Sequence, residues 1–298
     1  MTRVVRIAGL CALLLVVHLS TARAVAAEEA TAPGQARYLV IGSYIAEIMV
    51  ALGAAGRIVG VGSGTDHIPE LAGVPRIPGF RNTSAEPMLA LRPTVALLAG
   101  RQTRPEVVGQ LEGAGVAVQV FPDDVASLEV VPERIDRIGR LLDRKDEADA
   151  LRKRFRAELD AALAFAAQAE ARPRGLFILS GGGRPTLVAG ADTHIALLIE
   201  LAGADNVTDG IAYFKPMSQE AMLEAAPDFI LVNEEGLELS GGVPVALKAP
   251  GATLTPAGRS GNVFALPGGY LQGLGLNSPK AIRAIAERVH PGLGGGAE

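Results

Sequence analysis

Short apolar runs alternate along this chain with stretches in which apolar residues return every three or four positions. Runs at residues 37–41, 58–61, 94–99 and 117–121 predict buried strands, and 46–52, 84–91 and 105–114 between them have helical periodicity. The same alternation returns later, with strands near 176–179, 229–232 and 263–266 and helices near 194–201, 218–226 and 278–289. Strands this short and apolar, set between helices, predict mostly parallel sheets covered on both faces. A charged stretch separates the two series. In it Leu151, Phe155, Leu159 and Leu163 form one apolar stripe, so residues 146–170 are predicted as a single helix ended by Pro173. At 1.5 Å per residue such a helix is about 37 Å long, enough to run along two lobes.

The two series are related. Ser84-Ala85-Glu86-Pro87-Met88-Leu89, leading through Pro93 to Val95-Ala96-Leu97-Leu98, is echoed by Ser218-Gln219-Glu220-Ala221-Met222-Leu223, leading through Pro227 to Phe229-Ile230-Leu231-Val232, at a constant offset of 134. Each copy reads as a Ser N-cap, a short helix with an acidic first turn, and a strand. A second echo pairs Val50-Ala51-Leu52-Gly53-Ala54 with Glu200-Leu201-Ala202-Gly203-Ala204. The expected fold is therefore α/β, with two similar lobes of mostly parallel sheet bridged by one long helix. The expected boundaries are an N-terminal lobe at 37–130, a helical linker at 131–172 and a C-terminal lobe at 173–293.

Residues 1–27 have the pattern of a cleaved secretory signal: Arg3 and Arg6, an apolar stretch from Ile7 to Leu19, then Ala22, Ala24, Ala26 and Ala27. Export to the periplasm is the expectation. The single cysteine, Cys11, lies inside that leader, so cysteine nucleophiles, disulfides and thiolate metal sites are not expected in the mature protein. A net charge of −4 argues against a nucleic-acid partner. Gly60-Val61-Gly62-Ser63-Gly64 is not a nucleophile elbow, and Gly181-Gly182-Gly183 lacks the Lys-Ser/Thr ending of a phosphate loop. A secreted α/β hydrolase is thus the weaker functional class, and three scattered histidines in the mature chain do not make a zinc cluster.

Several segments resemble the periplasmic haem-binding proteins of bacterial haem importers, within the helix-linked cobalamin and siderophore binding proteins. They are Ala46-Glu47-Ile48 through Leu52-Gly53, Arg57-Ile58-Val59-Gly60-Val61, and Gly79-Phe80-Arg81-Asn82-Thr83-Ser84-Ala85-Glu86. In the second half they are Gly181–Pro185, Ala189-Gly190-Ala191-Asp192-Thr193, Phe214-Lys215-Pro216-Met217-Ser218 and Leu254-Thr255-Pro256-Ala257-Gly258. The resemblance implies a non-enzymatic, monomeric receptor that grips haem between its lobes. It would deliver the haem to an inner-membrane ABC permease dimer with its ATPase, docking through Glu86 and Glu220. Cobalamin and a ferric siderophore are the rival cargoes.

Haem iron needs an imidazole or phenolate donor in an apolar slot, with cations near the propionates. By position in the resemblance, His67 in the loop after the second strand stands where relatives carry an axial tyrosine, with Asp66 beside it to orient the ring. His194, at a helix start, is the second candidate iron donor. Arg81 and Lys215 are candidates for the propionates, and Tyr213 for stacking on the porphyrin. His290, at the end of the last helix, is assigned no ligand role. Asn277 replaces an arginine of relatives and is expected to remove a polar contact from the cleft.

Overall fold

A computed structural model describes residues 35–77, 84–122, 127–179, 187–208, 210–234 and 247–293. The first lobe holds a four-stranded sheet of β1 (Tyr38–Ile41), β2 (Ile58–Val61), β3 (Val95–Ala99) and β4 (Ala117–Phe121). These strands lie in the order β2-β1-β3-β4, all parallel. Helices α1 (Ser43–Ala51), α2 (Glu86–Ala90) and α3 (Pro105–Gly113) connect them. All four residues of β1 are buried, as a central strand covered on both faces requires.

The second lobe contains β5 (Arg174–Leu179), β6 (Leu187–Ala189), β7 (Asp205–Asn206), β8 (Phe214–Lys215), β9 (Phe229–Asn233) and β10 (Val263–Leu266). Its parallel part duplicates the first sheet. β7, β5, β9 and β10 pair in the order of β2, β1, β3 and β4, and the offset of 134 carries β3 onto β9 residue for residue. Among the described residues the duplication stops at one edge: β9 occupies one side of β5, so β7 shares the other side with β6, which pairs antiparallel to β5 and to β8. The helices are α6 (His194–Leu201), α7 (Gln219–Ala225), α8 (Pro256–Ser260), α9 (Gly268–Leu271) and α10 (Ser278–Val289).

The second echo marks a shared helix end. After α1 the chain turns at Gly53 with φ +74°, and after α6 at Gly203 with φ +82°, the left-handed conformation that closes a helix at little cost only for glycine.

The crossover differs in detail from the sequence expectation. Two helices, α4 (Val130–Leu142) and α5 (Lys145–Ala166), are separated by Asp143 in a left-handed conformation and packed on each other. α4 has its own buried stripe of Val131, Ile135, Ile138 and Leu142. In α5 the buried stripe begins at Ala148, runs through Leu151, Phe155 and Leu159 and continues on Ala162, Phe165 and Ala166, not on Leu163. A step of four residues overshoots the 3.6-residue turn by about 40°, so a strict four-residue repeat rotates off the buried face. The stripe ends at Ala166, and so does the helix, well before Pro173.

Strand alternation sorts side chains into three cores. Val40, Leu97 and Ala99 join Phe177, Phe229 and Leu231 in one core that runs through α1, α4, α5, α6 and α10. The opposite faces bury Leu39, Ala96 and Leu98 under α2 and α3, and Leu176, Ile230 and Val232 under α7 and α8. α5 lies along α10 and α4, so the crossover is built into the shared core.

Candidate functional site

Parallel sheets present ligands at the carboxyl ends of their strands, where the connecting loops diverge. In this chain those ends converge on one cavity of about 470 Å³, within the range of small-molecule sites. Ser63 follows β2, Arg101 and Gln102 follow β3, Phe177 and Leu179 end β5, Asn233 ends β9 and Gly268 follows β10, and all line it. Tyr44 of α1 and Arg134 of α4 close it from the first lobe and the crossover. The walls are mainly apolar, with Leu187, Ile195, Phe214, Leu271 and Leu274 adding to Phe177 and Leu179.

His194 lies on this cavity as the first residue of α6. Thr193 fixes the helix start: its hydroxyl accepts from Ala196 N at 3.2 Å and donates to the Gly190 carbonyl at 2.7 Å. The ring is oriented by Leu271, whose carbonyl lies 2.8 Å from Nε2. A carbonyl only accepts, so Nε2 carries the proton and Nδ1 is the lone-pair nitrogen of the neutral ring.

Tyr213 and Phe214 form an aromatic wall beside His194, with their ring centroids 5.1 Å apart edge to face and the Phe214 ring 6.4 Å from the His194 ring. Tyr213 has φ +59°, an uncommon conformation for a bulky residue. It is held there from both sides: its N–H donates to Asp192 Oδ1 and its carbonyl accepts from Gly190 N at 2.6 Å. Gly190 admits no side chain, because a Cβ would stand 1.9 Å from the Ile211 carbonyl oxygen. From the first lobe, the Arg101 guanidinium lies 5.1 Å from the Tyr213 ring centroid, so one cation–aromatic contact spans the cleft.

Arg134 is a buried cation with 4% of its surface exposed. It donates from Nη1 to the Leu274 carbonyl and from Nη2 to the Pro122 carbonyl, each at 2.7 Å, and its guanidinium lies 4.1 Å from the centre of the Tyr44 ring.

The other predicted site residues lie elsewhere. His67 does not line the cavity. It sits in a second groove with Glu47, Glu70, Arg154, Glu158, Asn277 and Lys280, against α5, and its Nε2 is 2.8 Å from Glu47 Oε1. The loop after β2 turns its apolar residues Ile68 and Leu71 into the core, which sends the ring behind α9 rather than toward the cleft. Asp66 is not its partner but pairs with Arg76 at 3.1 Å. Lys215 is exposed and lies off the lining, because successive strand residues face opposite ways and Phe214 takes the inward position. Asn277, expected at the cleft, lines the second groove and not the main cavity. Arg81 and Gly181–Pro185 lie outside the described residues. His290 ties α10 to the end of α6 through the Ala202 carbonyl, at 3.1 Å.

Arg101, Arg134 and Tyr44 were missed from sequence. Arg101 was within reach of the strand-end rule, since it stands two residues beyond β3. Arg134 was not, because only tertiary packing shows a helix arginine to be buried.

Glu86 and Glu220 are both exposed at the starts of the duplicated helices α2 and α7. The Glu220 carboxyl is held below the ordinary glutamate range by its own backbone N–H and then by the Ser218 hydroxyl.

Residues 40–270 match the family described as periplasmic binding protein. The chain belongs to that family. Among solved structures it is similar to the periplasmic heme-binding protein RhuT from Roseiflexus sp. RS-1 in apo form, with 33% identity and a TM-score of 0.82, over 87% of this chain and 100% of that one. The periplasmic heme-binding protein BhuT in complex with two hemes is similar at 35% identity and a TM-score of 0.79, with the same coverage. The vitamin B12-binding protein of Pectobacterium atrosepticum is 22% identical over 201 residues, 66% of this chain and 71% of that protein. These family members and relatives are binding proteins, in keeping with a cavity built for capture.

Proposed function

We propose that this protein captures haem in the periplasm and hands it to an ABC importer. One observation carries the reading: an apolar cleft at the strand ends brings together an oriented imidazole, His194, and a guanidinium, Arg101, on opposing walls. Iron takes a neutral imidazole nitrogen, the porphyrin takes flat apolar walls such as Phe177 and Phe214, and a propionate takes a forked cation. His194 is the iron donor in this reading, Tyr213 packs on the macrocycle, and Arg101 exchanges its aromatic contact for a propionate. The likeness to haem-binding structures at 33% and 35% identity supports haem over cobalamin, whose binding protein is 22% identical.

The acidic residues Glu86 and Glu220, repeated in both lobes and exposed, suit arginine pockets on a two-fold permease. Residues 1–27 serve as the cleaved export leader in this reading, and the receptor works as a monomer.

Haemin titration of the purified protein tests the cargo. Wild type develops a Soret band at a defined stoichiometry, His194→Ala shifts that band and weakens binding about 10–100-fold, and Arg101→Ala weakens binding with the band in place. A wild type that ignores haemin and binds cobalamin refutes the assignment.

A further inference from the structure

After β10 the chain runs Gly268-Gly269-Tyr270-Leu271-Gln272-Gly273-Leu274-Gly275, and this strap forms one wall of the cavity through Gly268, Leu271, Gln272, Gly273 and Leu274. Its glycines are seats for first-lobe side chains. A Cβ on Gly269 would stand 2.5 Å from His67 Cδ2, one on Gly273 would stand 3.0 Å from Tyr44 Cδ1, and one on Gly275 would stand 2.9 Å from Glu47 Oε2. Its carbonyls are taken by three different elements. Leu271 accepts from His194 of α6, Gln272 from Ser43 Oγ of α1 at 3.0 Å, and Leu274 from Arg134 of α4. The strap thus follows the second lobe in sequence but is fastened largely to the first.

Within this arrangement the His67–Glu47 pair is built, not incidental. The Glu47 side chain is 9% exposed, it sits one turn beyond Tyr44 on α1, and its Oε1 receives the His67 ring at 2.8 Å. The ring stands on Gly269, two residues before the carbonyl that orients His194. We infer that His67 is a positioning residue: braced by Glu47 and seated on Gly269, it holds the strap so that the cavity wall and the His194 ring keep their geometry, without itself touching the ligand. The effect on binding rests on the cavity being the haem site; the effect on the strap does not.

The test uses His67→Ala, His67→Gln and Gly269→Ala in the full mature protein. Amide hydrogen exchange without ligand comes first. His67→Ala speeds exchange of the Tyr270 and Gly275 amides, bonded to the Pro267 carbonyl and to Ser278 Oγ, by about tenfold or more, while β9 amides keep their protection. His67→Gln retains a donor for Glu47 and restores most of that protection. Haemin titration comes second. His67→Ala weakens binding by about tenfold, the scale of losing an orienting group, with the Soret maximum unmoved. Gly269→Ala, which displaces the ring from the other side, does the same. A shifted Soret maximum in His67→Ala overturns the inference by making His67 an iron ligand, and unchanged strap exchange in both His67→Ala and Gly269→Ala overturns it whether or not haemin is the cargo.

Discussion

Arg134→Met tests how much the buried cation contributes to joining the lobes. In the folded protein the guanidinium makes two charge-assisted bonds of 2.7 Å to carbonyls from two loops, and it stacks on Tyr44. Such bonds are worth about 1.5–3 kcal/mol each, and a desolvated cation–aromatic contact about 2 kcal/mol. Burial of the guanidinium removes several kcal/mol of hydration, and methionine fills much of the same volume, so the net loss is about 2–4 kcal/mol. For a chain of this size that lowers the melting temperature by about 5–12 °C. Arg137, one turn away, is the control: half-buried, it donates to the Val120 carbonyl and to Gln119 Oε1, and its guanidinium lies 4.3 Å from the centre of the Phe121 ring. Water reaches those bonds more readily than the buried pair at Arg134, and methionine still covers the Phe121 ring, so Arg137→Met costs about 1 kcal/mol. Urea unfolding followed by circular dichroism and tyrosine fluorescence, with coincident transitions and an unchanged slope, gives both numbers. If the two variants lie within 1 kcal/mol of each other, the argument from burial fails.

Three further outcomes follow. Gly53→Ala and Gly203→Ala both force a left-handed alanine, at about 1 kcal/mol. Space is open around Gly53, whereas a Cβ at Gly203 would stand 3.1 Å from His290 Nε2 and 3.2 Å from the Ala166 carbonyl, so Gly203→Ala is the more destabilising in the same urea assay. At Glu220 the folded carboxyl titrates below the ordinary glutamate range, so the stability it confers is present above that range and is lost as pH falls through the lowered value. A carboxyl-detected NMR titration therefore finds its midpoint low, and Ser218→Ala moves that midpoint up toward the ordinary value. Reversing the charge of Glu86 or Glu220 to arginine abolishes stimulation of the importer's ATPase while haemin binding is unchanged.

Much of the fold was readable because burial on both faces leaves an unbroken apolar run, as in Tyr38–Ile41 and residues 229–232. The constant offset between Glu86 and Glu220 announced a duplication that the sheets then displayed. β6 and β8 escaped because strands of three and two residues are too short for any period to register. α4 was merged into the linker because only the left-handed turn at Asp143, which aspartate adopts without a sequence signature, separates it from α5. At the site, His194 was expected from its place at a helix start in the second lobe, and it lines the cavity. His67 was misplaced because a position in a loop does not say which side of the sheet the loop turns toward, and Ile68 and Leu71 decided that here.

The antiparallel flank made by β6 and β8 has no counterpart among the described residues of the first lobe, and it supplies Leu187 and Phe214 to the cavity. Among the described residues the two lobes thus share a pseudo-symmetric scaffold and differ where the cavity lies. A guest held there therefore meets chemically unlike jaws, with the antiparallel flank on one side and Tyr44 and Arg101 on the other.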